Sequence, residues 1–179
     1  MSSSIKYSEL KKSDFFQFFN LTEVAITKTE PSKKFIKLKP GGFQEHIDIE
    51  FQLDEDYIIG AKILLDRVWI GNHESINPFG TDIAKSFIAA FTPPKEKESV
   101  RSLVFFLMNL KGDNDILIPC QKPYQYFEKS EPEIVPFLDV YRNQRKLSTF
   151  PLKETIFLIK NIVQENKPRL GIFWKIHSY

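Results

Sequence analysis

The chain has 179 residues, 42% of them hydrophobic and 27% charged, a balance that excludes a disordered or fibrous protein and allows one substantial core. Its net charge is only +2, too small for electrostatics alone to argue for nucleic acid. The single cysteine, Cys120, excludes an internal disulfide and a multi-thiolate metal site.

The charge is unevenly placed. Eight lysines stand against four acids over residues 1–40, six acids and no Lys or Arg occupy 41–60, and eight basic residues stand against two acids over 141–179. An acidic middle between basic ends serves partner choice, or is cancelled when the ends fold onto the middle. The longest apolar runs, such as VFFLM at 104–108, are far shorter than the roughly 20 residues that cross a bilayer. The opening MSSSIKYSELKK lacks the apolar run of a secretory signal. The expectation is a cytoplasmic protein folded as one α+β domain over residues 1–179, with no membrane association.

In chain order, residues 7–20 (YSELKKSDFFQFFN) read as one helix. On a 3.6-residue period Tyr7, Phe15, Phe16, Phe18 and Phe19 cover about half its circumference, wider than an ordinary amphipathic stripe. The protein's own sheet is the usual cover for such a face; a partner subunit or an apolar ligand is the functional alternative. Short strands are expected at 22–29 and 34–39, parted by Pro31 and Ser32.

Residues 46–65 follow (HIDIEFQLDEDYIIGAKILL). Ile47, Ile49, Phe51 and Leu53 alternate with His46, Asp48, Glu50 and Gln52, so a strand buries the first set and wets the second. A three-residue loop at 54–56 would set Leu53 opposite Tyr57, Phe51 opposite Ile59, Asp48 opposite Lys62 and Glu50 opposite Gly60. The alternative for the wet side is a divalent metal held by His46, Asp48 and Glu50, with His73 or Glu74 as a fourth ligand and Lys62 stabilising negative charge. The Asp and Glu-x-Lys element of metal-dependent nucleases is absent, since 48–50 reads Asp-Ile-Glu with no lysine at the required offset.

The loop WIGNHESINPFG at 69–80 places Trp69, Asn72, His73, Glu74 and Asn77 between a strand and a helix, where ligand groups often sit; turn chemistry explains the same residues. In the helix after it Thr81 is the expected N-cap, Ile83, Ala84, Phe87, Ile88 and Phe91 share a face, and Pro93 and Pro94 end it. Residues 99–110 fit either a buried strand or a helix, and the strand is preferred because KGDND then completes a hairpin with ILIP. Cys120 reads as a half-buried thiol. A helix starting or interrupted near Pro136 is expected over 131–146, and another over 151–166 with Leu152, Ile156, Ile159 and Val163 as its core stripe. Lys153, Lys160 and Lys167, with Arg142, Arg145 and Lys146 before them, make the best basic surface. Leu170, Ile172, Trp174 and Ile176 alternate as in a final strand.

The sum is an α+β fold: a mainly antiparallel sheet with an N-terminal helix and two or three helices on one face. No nucleophile elbow, phosphate-cradling glycine loop or Cys-His neighbourhood is present, and His177 lies at the chain end. The preferred reading is a non-catalytic binding module without a cofactor. It would engage a protein partner or an apolar small ligand through Phe15, Phe16, Phe18, Phe19, Trp69 and His73, and homodimerisation is one way to cover that surface. The alternatives are a metal-dependent hydrolase or nuclease at His46, Asp48, Glu50 and Lys62, and nucleic-acid binding through the C-terminal bases.

Overall fold

A computed structural model describes residues 4–70, 78–101, 103–104, 124–130 and 132–177. Its frame is an antiparallel sheet of strands β1 (Ile5–Lys6), β2 (Thr22–Lys28), β3 (Lys33–Lys39), β4 (Ile47–Asp54), β5 (Tyr57–Asp66), β6 (Leu147–Pro151), β7 (Thr155–Gln164) and β8 (Lys167–Ile176). The order across the sheet is β2-β3-β4-β5-β8-β7-β6, with β1 paired to the start of β5. Helices α1 (Tyr7–Leu10) and α2 (Asp14–Phe18) precede β2; α3 (Arg67–Ile70), α4 (Phe79–Ala90), α5 (Tyr124–Ser130) and α6 (Val135–Tyr141) lie between β5 and β6. The broad α+β class read from the sequence is the class of the fold.

Alternation decides which side of the sheet is dry. Ile47, Ile49, Phe51 and Leu53 of β4 are fully buried, as are Ile63 of β5, Phe157 and Ile159 of β7, and Leu170, Ile172 and Trp174 of β8. The helices supply the matching aromatics: Phe16 of α2 meets Phe51, Phe15 meets Phe87 of α4, and Phe91 just after α4 meets both Phe51 and Trp174. The Phe15–Phe87 and Phe51–Phe91 pairs are edge-to-face and the other two tilted, geometries that add to the area the rings bury. The N-terminus of α1 is held from outside, since Ser8 donates from its backbone and its hydroxyl to the Asp56 carboxylate in the β4–β5 turn. That supplies the anion that a helix start favours and that Lys6, in the capping position, cannot.

Several expectations are corrected. Residues 7–20 form two short helices, because Lys11–Ser13 turns away between them. The β4–β5 hairpin closes with a two-residue turn, Glu55 at φ +54° taking the left-handed conformation, and Ile59 is the extra residue of a bulge opposite Gln52 and Leu53. The register therefore sets Glu50 opposite Lys62, Asp48 opposite Leu64, Phe51 opposite Ala61 and Leu53 opposite Ile58. A bulge re-aims every side chain beyond it, so Ile58, rather than Ile59, faces the core. Pro78, not Thr81, caps α4, and the Thr81 hydroxyl bonds back to the Pro78 carbonyl.

The largest correction is the expected helix over 151–166, which is strand β7, its turn, and the end of β6. Thr155, Ile156, Ile159, Ile162 and Val163 are β-branched and suit a pleated surface; Phe157 and Ile159 point in while Ile156 and Leu158 point out. The described part of 99–110 is helical where a strand was expected: Val104 donates to the Val100 carbonyl at 3.0 Å, the α-helical bond. The remainder of that segment, the KGDND turn, Cys120, His73 and Glu74 lie outside the described residues.

Candidate functional site

The first helix was the expected contact surface, and most of it is interior. Phe15, Phe16 and Phe19 are 3%, 6% and 3% exposed, whereas Phe18 is 76% exposed. The chain's own sheet and α4 cover the first three, so a second subunit is not required to do so. Trp69, in α3 just after β5, is half-buried and stacked on the His46 ring with 4.9 Å between centroids and an interplanar angle of 7°. Gly80 is needed there, because a Cβ would meet Trp69 at 2.8 Å.

The wet side of β4 is a lattice of ion pairs. Lys39 lies 2.6 Å from Asp48, whose other oxygen is 3.4 Å from the Arg169 guanidinium; Lys62 lies 2.8 Å from Glu50. His46 Nδ1 is 3.3 Å from Asp66, and the second Asp66 oxygen accepts from the backbone of Val68 and Trp69 at the start of α3. Asp48 and Glu50, the two strand carboxylates considered for a metal, each have a cation beside them. Among the described residues, no three His, Cys, Asp or Glu side chains gather to hold a metal ion.

The face of the sheet that carries Glu50, Lys62 and Phe173 holds a groove of about 340 Å³ that crosses the strands. Three neighbouring positions explain it. Gly60, on β5 between Gln52 of β4 and Lys175 of β8, contributes no side chain and leaves a gap in the floor. Phe35 of β3 stands at one end, and Phe173 of β8 with Leu158 of β7 at the other. Phe173 lies down over Gly171, where any Cβ would meet its ring at 2.5 Å; glycine is required there by that close approach.

Charge rims this apolar floor. The Lys160 ammonium sits 4.4 Å from the centre of the Phe173 ring, a cation–π contact. Lys62 leans on Glu50, and Lys175 is exposed at the rim. No carboxylate among the described residues lies within ion-pair distance of Lys160 or Lys175. The groove thus combines apolar surface with uncompensated positive charge. Of the sequence-derived candidates it includes Glu50 and Lys62; Asp48 stands beside it, and His46 is displaced toward Trp69. Lys160 belongs to it as a strand residue, not as part of a helical basic face, while Lys153 and Lys167 lie off it. Phe35, Gly60, Leu158, Phe173 and Lys175 were missed. The signal that would have found Leu158 was the β-branched density of residues 155–163.

No family model matches this chain, and neither a curated protein nor a solved structure is similar to it.

Proposed function

We propose that this protein is a non-catalytic binding module that takes an amphipathic, anionic ligand on the outer face of its sheet, in the groove over Gly60. The observation that carries the reading is a groove on which Phe35, Leu158 and Phe173 flank a glycine gap while Lys160 and Lys175 have no carboxylate partner among the described residues. Apolar concavities with a few convergent polar groups are the common form of a ligand site. The acids nearest the groove, Asp48 and Glu50, are held in ion pairs, an arrangement suited to fixing charge in place rather than to moving protons.

Gly60 provides the test. A Cβ added there meets nothing nearer than the flexible Gln52 Oε1 at 3.4 Å, and a branched side chain favours a strand over glycine. Gly60→Leu is expected to fold, with an unchanged or higher melting temperature, and to fill the floor. With 8-anilinonaphthalene-1-sulfonate as an aromatic anionic probe, the native protein should show saturable fluorescence enhancement that weakens with salt. The variant should bind about tenfold more weakly, or about 1.4 kcal/mol. Equal titrations for the two proteins would remove the groove as the binding surface.

A further inference from the structure

Resting on that reading, we infer that the occupant is an extended acidic segment of another protein, laid across the strands with two large apolar side chains four residues apart and a carboxylate midway between them.

The spacing comes from the sheet. Phe35 is on β3 and Phe173 on β8, and the order β3-β4-β5-β8 separates them by three strand intervals. At about 4.8 Å each, these amount to roughly 14 Å across the strands; Phe35 is in line with Lys175 through Gln52 and Gly60, so Phe173 lies two residues further along β8 and the diagonal is roughly 16 Å. An extended chain advances about 3.4 Å per residue, so residues i and i+4 are roughly 14 Å apart and point to the same side, and large side chains span the remaining roughly 2 Å. Residue i+2 shares that side and falls over the boundary of β4 and β5. There Gly60 leaves room for it, and the Lys62 and Lys175 ammonium groups border the same groove.

Recognition at this place has to come from side chains. Each strand under the groove, from β3 to β7, is bonded to a neighbour on both sides, so its backbone donors and acceptors are used in the ladders and strand addition is unavailable. Lys175, with no carboxylate within ion-pair distance among the described residues, supplies charge complementarity for an acid beside the Lys62–Glu50 pair, and the apolar ends supply register. A nucleic-acid strand fits less well. The Phe173 ring has Gly171 beneath it and Lys160 above it, so Phe35 is left as the one groove aromatic among the described residues with a face for a base, where single-strand binding uses successive stacking platforms.

The test uses the full chain and an acetylated, amidated peptide Ser-Leu-Ser-Glu-Ser-Leu-Ser, competing against the bound anilinonaphthalene sulfonate. The expected result is displacement of the probe, about tenfold weaker when Gln replaces the Glu or when the leucines are moved to i, i+3. In Lys175→Gln, away from the core, the difference between the Glu and Gln peptides should shrink. Failure of the peptide to displace a probe that Gly60→Leu excludes would overturn the acidic-segment assignment while leaving the groove as a binding site. Displacement by single-stranded oligodeoxythymidylate in preference to the peptide would also overturn it, in favour of nucleic acid. A probe that never binds the native groove would overturn both this inference and the reading beneath it.

Discussion

Arg169 ties β8 to the start of β4 through one guanidinium. Its side chain is 4% exposed; one nitrogen donates to the His46 carbonyl at 3.1 Å and another lies 3.4 Å from Asp48. Replacing it by Met keeps the apolar stem but leaves that carbonyl with the Asp66 backbone N–H as its remaining donor and removes a cation from Asp48. Asp48 is partly solvated and retains Lys39, so the expected loss is about 2 kcal/mol, below the usual cost of breaking a fully buried pair. Urea denaturation checks this, and a change within about 0.5 kcal/mol would mean the guanidinium contributes only packing. Tyr7 gives a pH signature. Burial, and then the hydrogen bond from its hydroxyl to Glu23 at 2.7 Å, push its pKa well above the ordinary phenol value. Because the folded state holds the proton more tightly than the unfolded state, this contribution is full below about pH 10 and is lost as pH rises beyond it. Tyr7→Phe should cost about 1 kcal/mol at neutral pH and make the alkaline loss of stability shallower, as measured by denaturant melts between neutral and strongly alkaline pH.

At the scale of elements, the β7–β8 hairpin is the most exacting piece of backbone. It turns through Glu165 and Asn166, at φ +52° and +62°, with Gln164 opposite Lys167. Two consecutive left-handed residues are the mark of a type I′ turn, whose twist matches that of the strands it joins. Asn tolerates this conformation and Glu does so poorly, so the combined change Glu165→Asn and Asn166→Gly should raise stability by about 1 kcal/mol. Thermal denaturation would show it, and a fall in the midpoint would mean the Glu165 side chain has a compensating role. The same hairpin explains why a helix was expected here. Leu152, Ile156, Ile159 and Val163 have helical spacing, yet Ile159 is in the core while Val163 is 76% exposed. Period 3.6 and period 2 share some positions over a short window, and the β-branched content arbitrates between them.

At the scale of the molecule, one face of the sheet carries the core and the other carries the groove proposed as a binding surface. Phe15 belongs to the first. Phe15→Ala should destabilise the fold by about 3 kcal/mol through the cavity it leaves, without changing the elution volume of the folded protein in size-exclusion chromatography. A shift in oligomeric state with little loss of stability would return that helix to the role of an interface. Gly60 belongs to the second face, and its replacement separates binding from folding.

The alternation of residues 47–53 and of 170–176 determined, from sequence alone, that these segments are strands and which of their sides is dry, because a period of two admits one buried face. The apolar face of residues 79–91 determined a helix on the same grounds. Register, however, was decided by the fold. The Ile59 bulge and the two-residue turn at Glu55 moved Lys62 from Asp48 to Glu50, and only the neighbouring strands select between such alternatives. The groove was decided at the same level, since Phe35, Gly60 and Phe173 are far apart along the chain and adjacent only once β8 has inserted between β5 and β7. Local sequence specifies periodicity; which residues become neighbours across a sheet depends on long-range pairing, whose free energy no short segment carries by itself.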